Sequence, residues 1–114
     1  MTRVAALDCG TNSLRLLVAD VDGDALSDVA RRMEVVRLGA GVDRTGRLAP
    51  DALTRTFAVL DDYAAVIRTL EIDAVRMVAT SATRDAENRD EFVDGVVARL
   101  GVAPEVVSGD EEAR

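Results

Sequence analysis

Asp8-Cys9-Gly10-Thr11-Asn12-Ser13 sets a carboxylate, a thiol, a bare backbone position, two hydroxyls and an amide side by side. Gly10 lets the backbone approach a ligand closely, and Thr11, Asn12 and Ser13 offer donors to phosphate oxygens. The same turn also serves as a plain hairpin loop. A second segment, Thr80-Ser81-Ala82-Thr83-Arg84, follows an apolar run that reads as a strand. Loops after the carboxyl ends of parallel strands are where open α/β sheets take ligands, and the planar fork of Arg84 suits a phosphate. The alternative there is a Ser/Thr turn leading into a helix, with Arg84 on the surface. The third segment is Ser108-Gly109-Asp110-Glu111-Glu112-Ala113-Arg114. With Ser108 as helix cap, Glu111 folds back as its capping-box partner. Glu112 is then left to face a cleft and take a proton from an attacking water.

Cys9 to Arg15 also satisfies C-x5-R, the spacing in which a thiolate attacks a phosphate cradled by amides and Arg. That chemistry needs the loop to enter a helix, whereas Leu14 to Val21 reads as a strand.

Composition narrows the choice. The 114 residues suit one compact domain, at roughly 100 to 200 residues per domain. There is no His and no Lys: all 14 basic residues are Arg. A Ser-His-Asp triad, a His-based zinc helix, Schiff-base chemistry and a lysine-bearing phosphate loop are thereby excluded within the chain. The single Cys forms no internal disulfide and agrees with a reducing compartment. A net charge of −7 argues against nucleic acid as a partner. Locally, residues 31 to 47 carry +3, either a solvated face or a rim for an anion, and residues 85 to 114 carry −6, read mostly as helix surface. With 48% apolar residues but no 18-residue apolar run, the chain is expected to be soluble, off the membrane and cytoplasmic, since no export leader opens it.

These segments need a scaffold. Residues 3 to 9 and 14 to 21 are short apolar runs rich in strand formers and make a hairpin. After the Asp22-Gly23-Asp24 turn, Leu26 to Leu38 supplies a third antiparallel strand, and Gly39, Gly41 and Gly46 mark a loop. From Pro50 the apolar positions Leu53, Phe57, Leu60, Ala64 and Ile67 predict a helix about 20 residues long, with Ala49 a poor cap. Ile72 to Ala79 is a strand, parallel after a right-handed crossover. Asn88 with Glu91 predicts a capping box opening a second helix, which bears Phe92, Val96, Val97 and Leu100 and closes at Gly101. Pro104 to Ser108 is a last short strand, followed by the start of a helix. The order is β-β-β-α-β-α-β.

Taken together, these blocks resemble the N-terminal domain of the exopolyphosphatase and guanosine pentaphosphate phosphohydrolase family. Asp8-x-Gly10-Thr11-Asn12-Ser13 matches its D-x-G-[ST]-N-S loop. Val36-Arg37-Leu38-Gly39-Ala40-Gly41-Val42-Asp43 matches its R-L-x-x-G segment, Gly46-Arg47-Leu48 the approach to the first long helix, and Val78 to Arg84, with Ala86 and Asn88, and Ser108 to Arg114 two later blocks. The resemblance implies an α/β domain of the actin-like, ribonuclease H-like superfold, shared with sugar kinases and heat-shock ATPases. It also implies Mg²⁺ near Asp8, a substrate phosphate held by Gly10, Thr11, Asn12, Ser13 and Arg84, and Glu112 as the general base. Polyphosphate or guanosine pentaphosphate would be the substrate, and the full-length protein a homodimer. Residues 1 to 114 are expected to lack a second domain carrying a D-x-G-G-G-S loop, so this chain alone should be nearly inactive. A non-catalytic phosphate sensor and a kinase of the same superfold are the competing readings. Such kinases usually present a second glycine and a Lys or Arg in the first loop, and Glu112 argues against a sensor.

Overall fold

Alternation of apolar and polar residues shapes the first half of the chain. In the structure, a computed structural model describing residues 2–79, 83 and 86–106, it yields β1 (Thr2–Cys9), β2 (Ser13–Asp22) and β3 (Ala25–Val35). Ala5, Leu7 and Cys9 on β1 and Leu14, Leu16 and Val18 on β2 are buried, and their neighbours Ala6, Asp8 and Arg15 are exposed. A one-turn helix α1 (Val42–Thr45), the long helix α2 (Pro50–Leu70) and β4 (Ala74–Ala79) follow, then α3 (Arg89–Leu100) and β5 (Glu105–Val106). The five strands form one sheet in the order β3-β2-β1-β4-β5. β1 runs antiparallel to β2 and parallel to β4, and β4 runs parallel to β5.

The buried face of the sheet meets α2 and α3 in one core, to which Leu60, Tyr63, Phe92 and Val96 contribute from the helices. α2 is longer than the mean and uncapped by a side chain, as Ala49 predicts, with Pro50 in its first turn. Its buried stripe is Ala52, Leu53, Thr56, Leu60, Tyr63 and Ala64, so Phe57 and Ile67, expected in it, lie half-buried at its margin. The two polar members are satisfied: Thr56 bonds the Ala52 carbonyl at 2.8 Å, and the Tyr63 hydroxyl donates to the Leu14 carbonyl at 2.9 Å. The Phe57 ring stacks on Phe92 at 6.5 Å, lies under the Arg99 guanidinium at 4.4 Å, and occupies the space any Cβ on Gly95 would need. At the other end, Arg3 ties three elements together. Its guanidinium holds Asp20 at 2.8 and 3.2 Å and the Leu70 carbonyl at 2.9 Å, and this bond keeps the Asp20 carboxyl below its ordinary range.

Three sequence expectations are corrected. β3 stops at Val35, short of Leu38, because Arg37 takes a left-handed φ of 53° that turns the chain out of the strand. The glycine-rich stretch is not all loop: Gly41 (φ 80°) and Gly46 (φ 70°) bracket α1, each adopting a conformation that costs a glycine nothing. The capping box at Asn88 does not form, for Asn88 makes no side-chain cap bond to α3 and serves elsewhere. Gly101 closes α3 in the left-handed conformation, as expected. Among the described residues no helix is long and apolar enough to cross a membrane.

Candidate active site

The hairpin tip between β1 and β2 is tightly tied. Gly10 donates its N–H to the Ser13 carbonyl at 2.9 Å. The Asn12 carbonyl accepts from the N–H groups of Val36 and Arg37, both at 2.8 Å, and the Thr11 carbonyl from that of Gly39 at 2.9 Å. Thr11 and Asn12 are exposed, Gly10 and Ser13 half-buried. A Cβ added to Gly10 would meet the Ser13 oxygen at an ordinary 3.7 Å, so packing within the chain leaves open space in front of this residue.

Asp8 and Cys9 point to opposite sides of the sheet. Asp8 is exposed on the face away from the helices, in a groove it shares with Ala6, Arg15, Leu17, Met33 and Val78. Cys9 points into the core at 1% exposure, with its Sγ 3.8 Å from the Gly10 carbonyl. Burial, with a smaller contribution from the neighbouring Asp8 charge, pushes its thiol up to about 12. Arg15, across from Asp8 in the ladder, is exposed, so thiol and guanidinium of the C-x5-R spacing lie on opposite faces. The cysteine-phosphatase reading is excluded. A pH dependence follows. The folded thiol is protonated where the unfolded one, at its usual 9.0, is ionised. Stability is therefore full below pH 9 and falls as pH rises towards 12. Tyr63, pushed by burial from 10.0 to about 12, acts in the same direction. Urea midpoints measured from pH 7 to 11 should decline above pH 9, and less steeply in Cys9→Ala; a flat profile in the wild type would contradict the burial of both groups.

Thr83 and Ala86 are buried, the Glu87 N–H reaches the Gly46 carbonyl at 2.8 Å, and the buried Asn88 side chain clamps the backbone of Leu48. Its Oδ1 accepts the Leu48 N–H at 2.7 Å and its Nδ2 donates to the Leu48 carbonyl at 3.0 Å. Arg84 itself, Thr80 to Ala82 and the whole segment from Ser108 to Arg114, with Glu112, lie outside the described residues. Two points in the register nonetheless relate the three segments. Cys9 is paired with Ala79 and Ala79 with Val106, so β1, β4 and β5 end in one row. Neighbouring strands are about 4.8 Å apart. The chain departs from that row into residues 10–13, 80–84 and 107–114.

The arginine-rich stretch is a mixed surface. Arg31 pairs with Asp28 at 2.7 Å and Arg47 with Glu87 at 3.5 Å, while Arg44, Arg47 and Arg55 line a cavity of about 530 Å³ with Leu48, Pro50 and Asn88. Sequence reasoning missed Arg55, whose Nε donates to the Val36 carbonyl at 2.9 Å. Its place on the exposed side of α2 gives no periodic signal.

Among the described residues no group of three or more acidic or thiol side chains could hold a metal ion. Asp8 supplies one hard oxygen donor, and no hydrogen bond or ion pair to its carboxylate occurs among the described residues. Magnesium is commonly held by one or two carboxylates together with substrate phosphates and water, so Asp8 fits it as one partner.

Comparison with known proteins bears on the fold and the family. Residues 17–114 match the model of the Ppx/GppA phosphatase family. Exopolyphosphatase 2 of Mycobacterium tuberculosis is 53% identical over 122 residues, covering 99% of this chain and 38% of its own length. The crystal structure of the Aquifex aeolicus Ppx/GppA family member superposes with a TM-score of 0.90 at 36% identity, over 97% of this chain and 36% of that one. An exopolyphosphatase from Cytophaga hutchinsonii superposes at 0.91 with 26% identity, over 98% and 36%. The chain thus spans little more than a third of the length of the relatives it matches. The α/β sheet with its parallel β1-β4-β5 row is the actin-like, ribonuclease H-like domain that these proteins share. Fold, motif order and similarity over nearly the whole chain agree, and the chain belongs to the Ppx/GppA phosphatase family.

Proposed function

We propose that this chain is the amino-terminal domain of an exopolyphosphatase, which releases terminal phosphate from inorganic polyphosphate with Mg²⁺. The observation that carries the reading is the row formed by Cys9, Ala79 and Val106, from which all three chemistry-bearing segments leave the sheet at one end. The carboxyl ends of parallel strands are where α/β sheets place ligands.

In this reading Gly10 to Ser13 receive the terminal phosphate, with backbone approach open at Gly10. Arg84 adds a second grip on the phosphoryl oxygens, whose charge rises as the anhydride bond breaks. Glu112 takes a proton from water as the water oxygen bonds to the terminal phosphorus. The bond to the bridging oxygen breaks, and the products are orthophosphate and a chain one unit shorter. Asp8 would hold the magnesium ion, whose chemistry is to neutralise phosphate charge. No side chain forms a covalent intermediate, which agrees with the burial of Cys9. The rest of the site would come from a second domain, in keeping with the length of the relatives.

The test is phosphate release by the complete protein from long-chain polyphosphate and from guanosine pentaphosphate in parallel. Release with Mg²⁺ should fall at least about a hundredfold on chelation, and polyphosphate should be the faster substrate. Release undiminished by chelation would remove the metal from the mechanism. A faster guanosine pentaphosphate reaction would reassign the substrate, and no release from either would favour a sensor.

A further inference from the structure

The R-L-x-x-G segment has no part in the chemistry just described, yet its backbone is constrained beside the hairpin tip. Arg37 is one of two non-glycine residues among those described with a positive φ, 53°, a region that L-residues avoid. Conformations of this kind persist where surrounding structure over-determines them. Here the surroundings are named. On one side the N–H groups of Val36 and Arg37 both donate to the Asn12 carbonyl at 2.8 Å, and that of Gly39 to the Thr11 carbonyl at 2.9 Å. On the other side Arg55 of α2 donates Nε to the Val36 carbonyl at 2.9 Å and reaches the Arg37 carbonyl with Nη2 at 3.5 Å. Its ion pair with Asp51, at 3.4 Å and with Asp51 80% exposed, is longer than the bond to the Val36 carbonyl.

The consequence follows from peptide geometry. A trans peptide plane directs its C=O and its N–H in opposite senses, and the described residues include no cis bond. The oxygens of Thr11 and Asn12 are both committed to residues 36–39, so the planes that carry them cannot flip without losing these bonds. The Asn12 N–H is therefore aimed away from residues 36–39. The one other backbone bond across the tip among those described, from the Gly10 N–H to the Ser13 carbonyl at 2.9 Å, does not hold the oxygens of Thr11 and Asn12.

We propose that Arg55 is a positioning residue for the hairpin tip: by holding the carbonyls of Val36 and Arg37 it fixes the left-handed turn that orients the Thr11 and Asn12 peptide planes towards a phosphate. The phosphate half of this inference rests on the function proposed for Gly10 to Ser13; the positioning half does not.

Two readouts on the complete protein separate the halves. The first is hydrogen–deuterium exchange of the 36–39 amides, and the second is the affinity for inorganic tripolyphosphate by calorimetry without divalent metal. Arg55→Ala should speed exchange of those amides at least about tenfold and weaken tripolyphosphate about tenfold. Arg55→Lys keeps the charge but not the fork, so it should do nearly the same. Arg44→Ala, which removes a nearby charge, and Arg37→Gly, which keeps the left-handed backbone, should leave exchange at the wild-type rate. Unchanged exchange in folded Arg55→Ala or Arg55→Lys would overturn the positioning role. If Arg55→Ala does not fold, Arg55→Lys decides. Faster exchange with no wild-type binding of tripolyphosphate would leave the positioning role standing and remove the phosphate loop. Weakening of equal size in Arg44→Ala would reduce Arg55 to a source of charge.

Discussion

Glu112→Gln in the complete protein should lower the turnover number for phosphate release by on the order of 10²–10⁴-fold, while KM stays within about threefold. Gln keeps the shape of the side chain and removes its capacity to accept a proton. Loss confined to turnover is the signature of a group that acts only as water attacks. Glu112 follows Val106, the end of β5, by six residues, and the sequence pattern predicts a helix that starts at Ser108 or Asp110. The acid limb of the rate profile, where the base is protonated, should disappear in the variant. A change that fell on KM instead would assign Glu112 to binding, and undiminished turnover would send the search for a base elsewhere.

Asn88→Ala should destabilise the fold by about 2–4 kcal/mol, because it strips partners from both the N–H and the carbonyl of a buried residue. Leu48 is 1% exposed, and no buried side-chain polar atom among the described residues lacks a partner as things stand. Asn88→Ser distinguishes this role from helix capping. Serine is a good cap but cannot span both backbone groups of Leu48, so a cap would be nearly unaffected whereas the clamp would be lost. Asn88→Asp keeps an acceptor for the Leu48 N–H but sets a second oxygen against the Leu48 carbonyl at a site now bridged at 3.0 Å. That variant should be weakest at neutral pH and recover as acid protonates it. Urea unfolding of the three variants at pH 5 and pH 8 measures all of this; an unfolding midpoint for Asn88→Ser equal to that of the wild type would restore the capping role.

What the sequence makes legible is local. Alternation in Ala5, Leu7 and Cys9, and again in Leu14, Leu16 and Val18, locates two strands and their buried face. Pro50 and Gly101 mark helix ends through their own backbone preferences. The misses are long-range. Asn88 and Leu48 are 40 residues apart, and Tyr63 meets Leu14 across 49, so a polar residue at either site looks like a surface residue or a cap until the chain has folded. Arg37 resists reading for another reason: its left-handed backbone is imposed by Asn12 and Arg55 against the preference of its own residue type. The glycines on either side of α1 announce a turn but not the single helical turn between them. Of the candidate site, the first loop is legible as donors at a hairpin tip, and Asp8 as an exposed carboxylate beside it. Arg84 and Glu112 are candidates on the local pattern and the family pattern together, and both lie outside the described residues.

The sheet order also dictates a sequence of events in folding. β1, β2 and β3 pair through turns of a few residues, whereas the pairing of Val4 with Ala74 must close a loop that contains the whole meander and all of α2. Contacts of such separation form late, because chain entropy is lost before they return any stabilisation. Among the described residues β5 pairs only with β4, so the last row to be laid down is the one from which residues 10–13, 80–84 and 107–114 depart. Affinity for a phosphate chain would then arise at the end of folding, and recovery of tripolyphosphate binding after dilution from urea should trail the recovery of strand and helix signals.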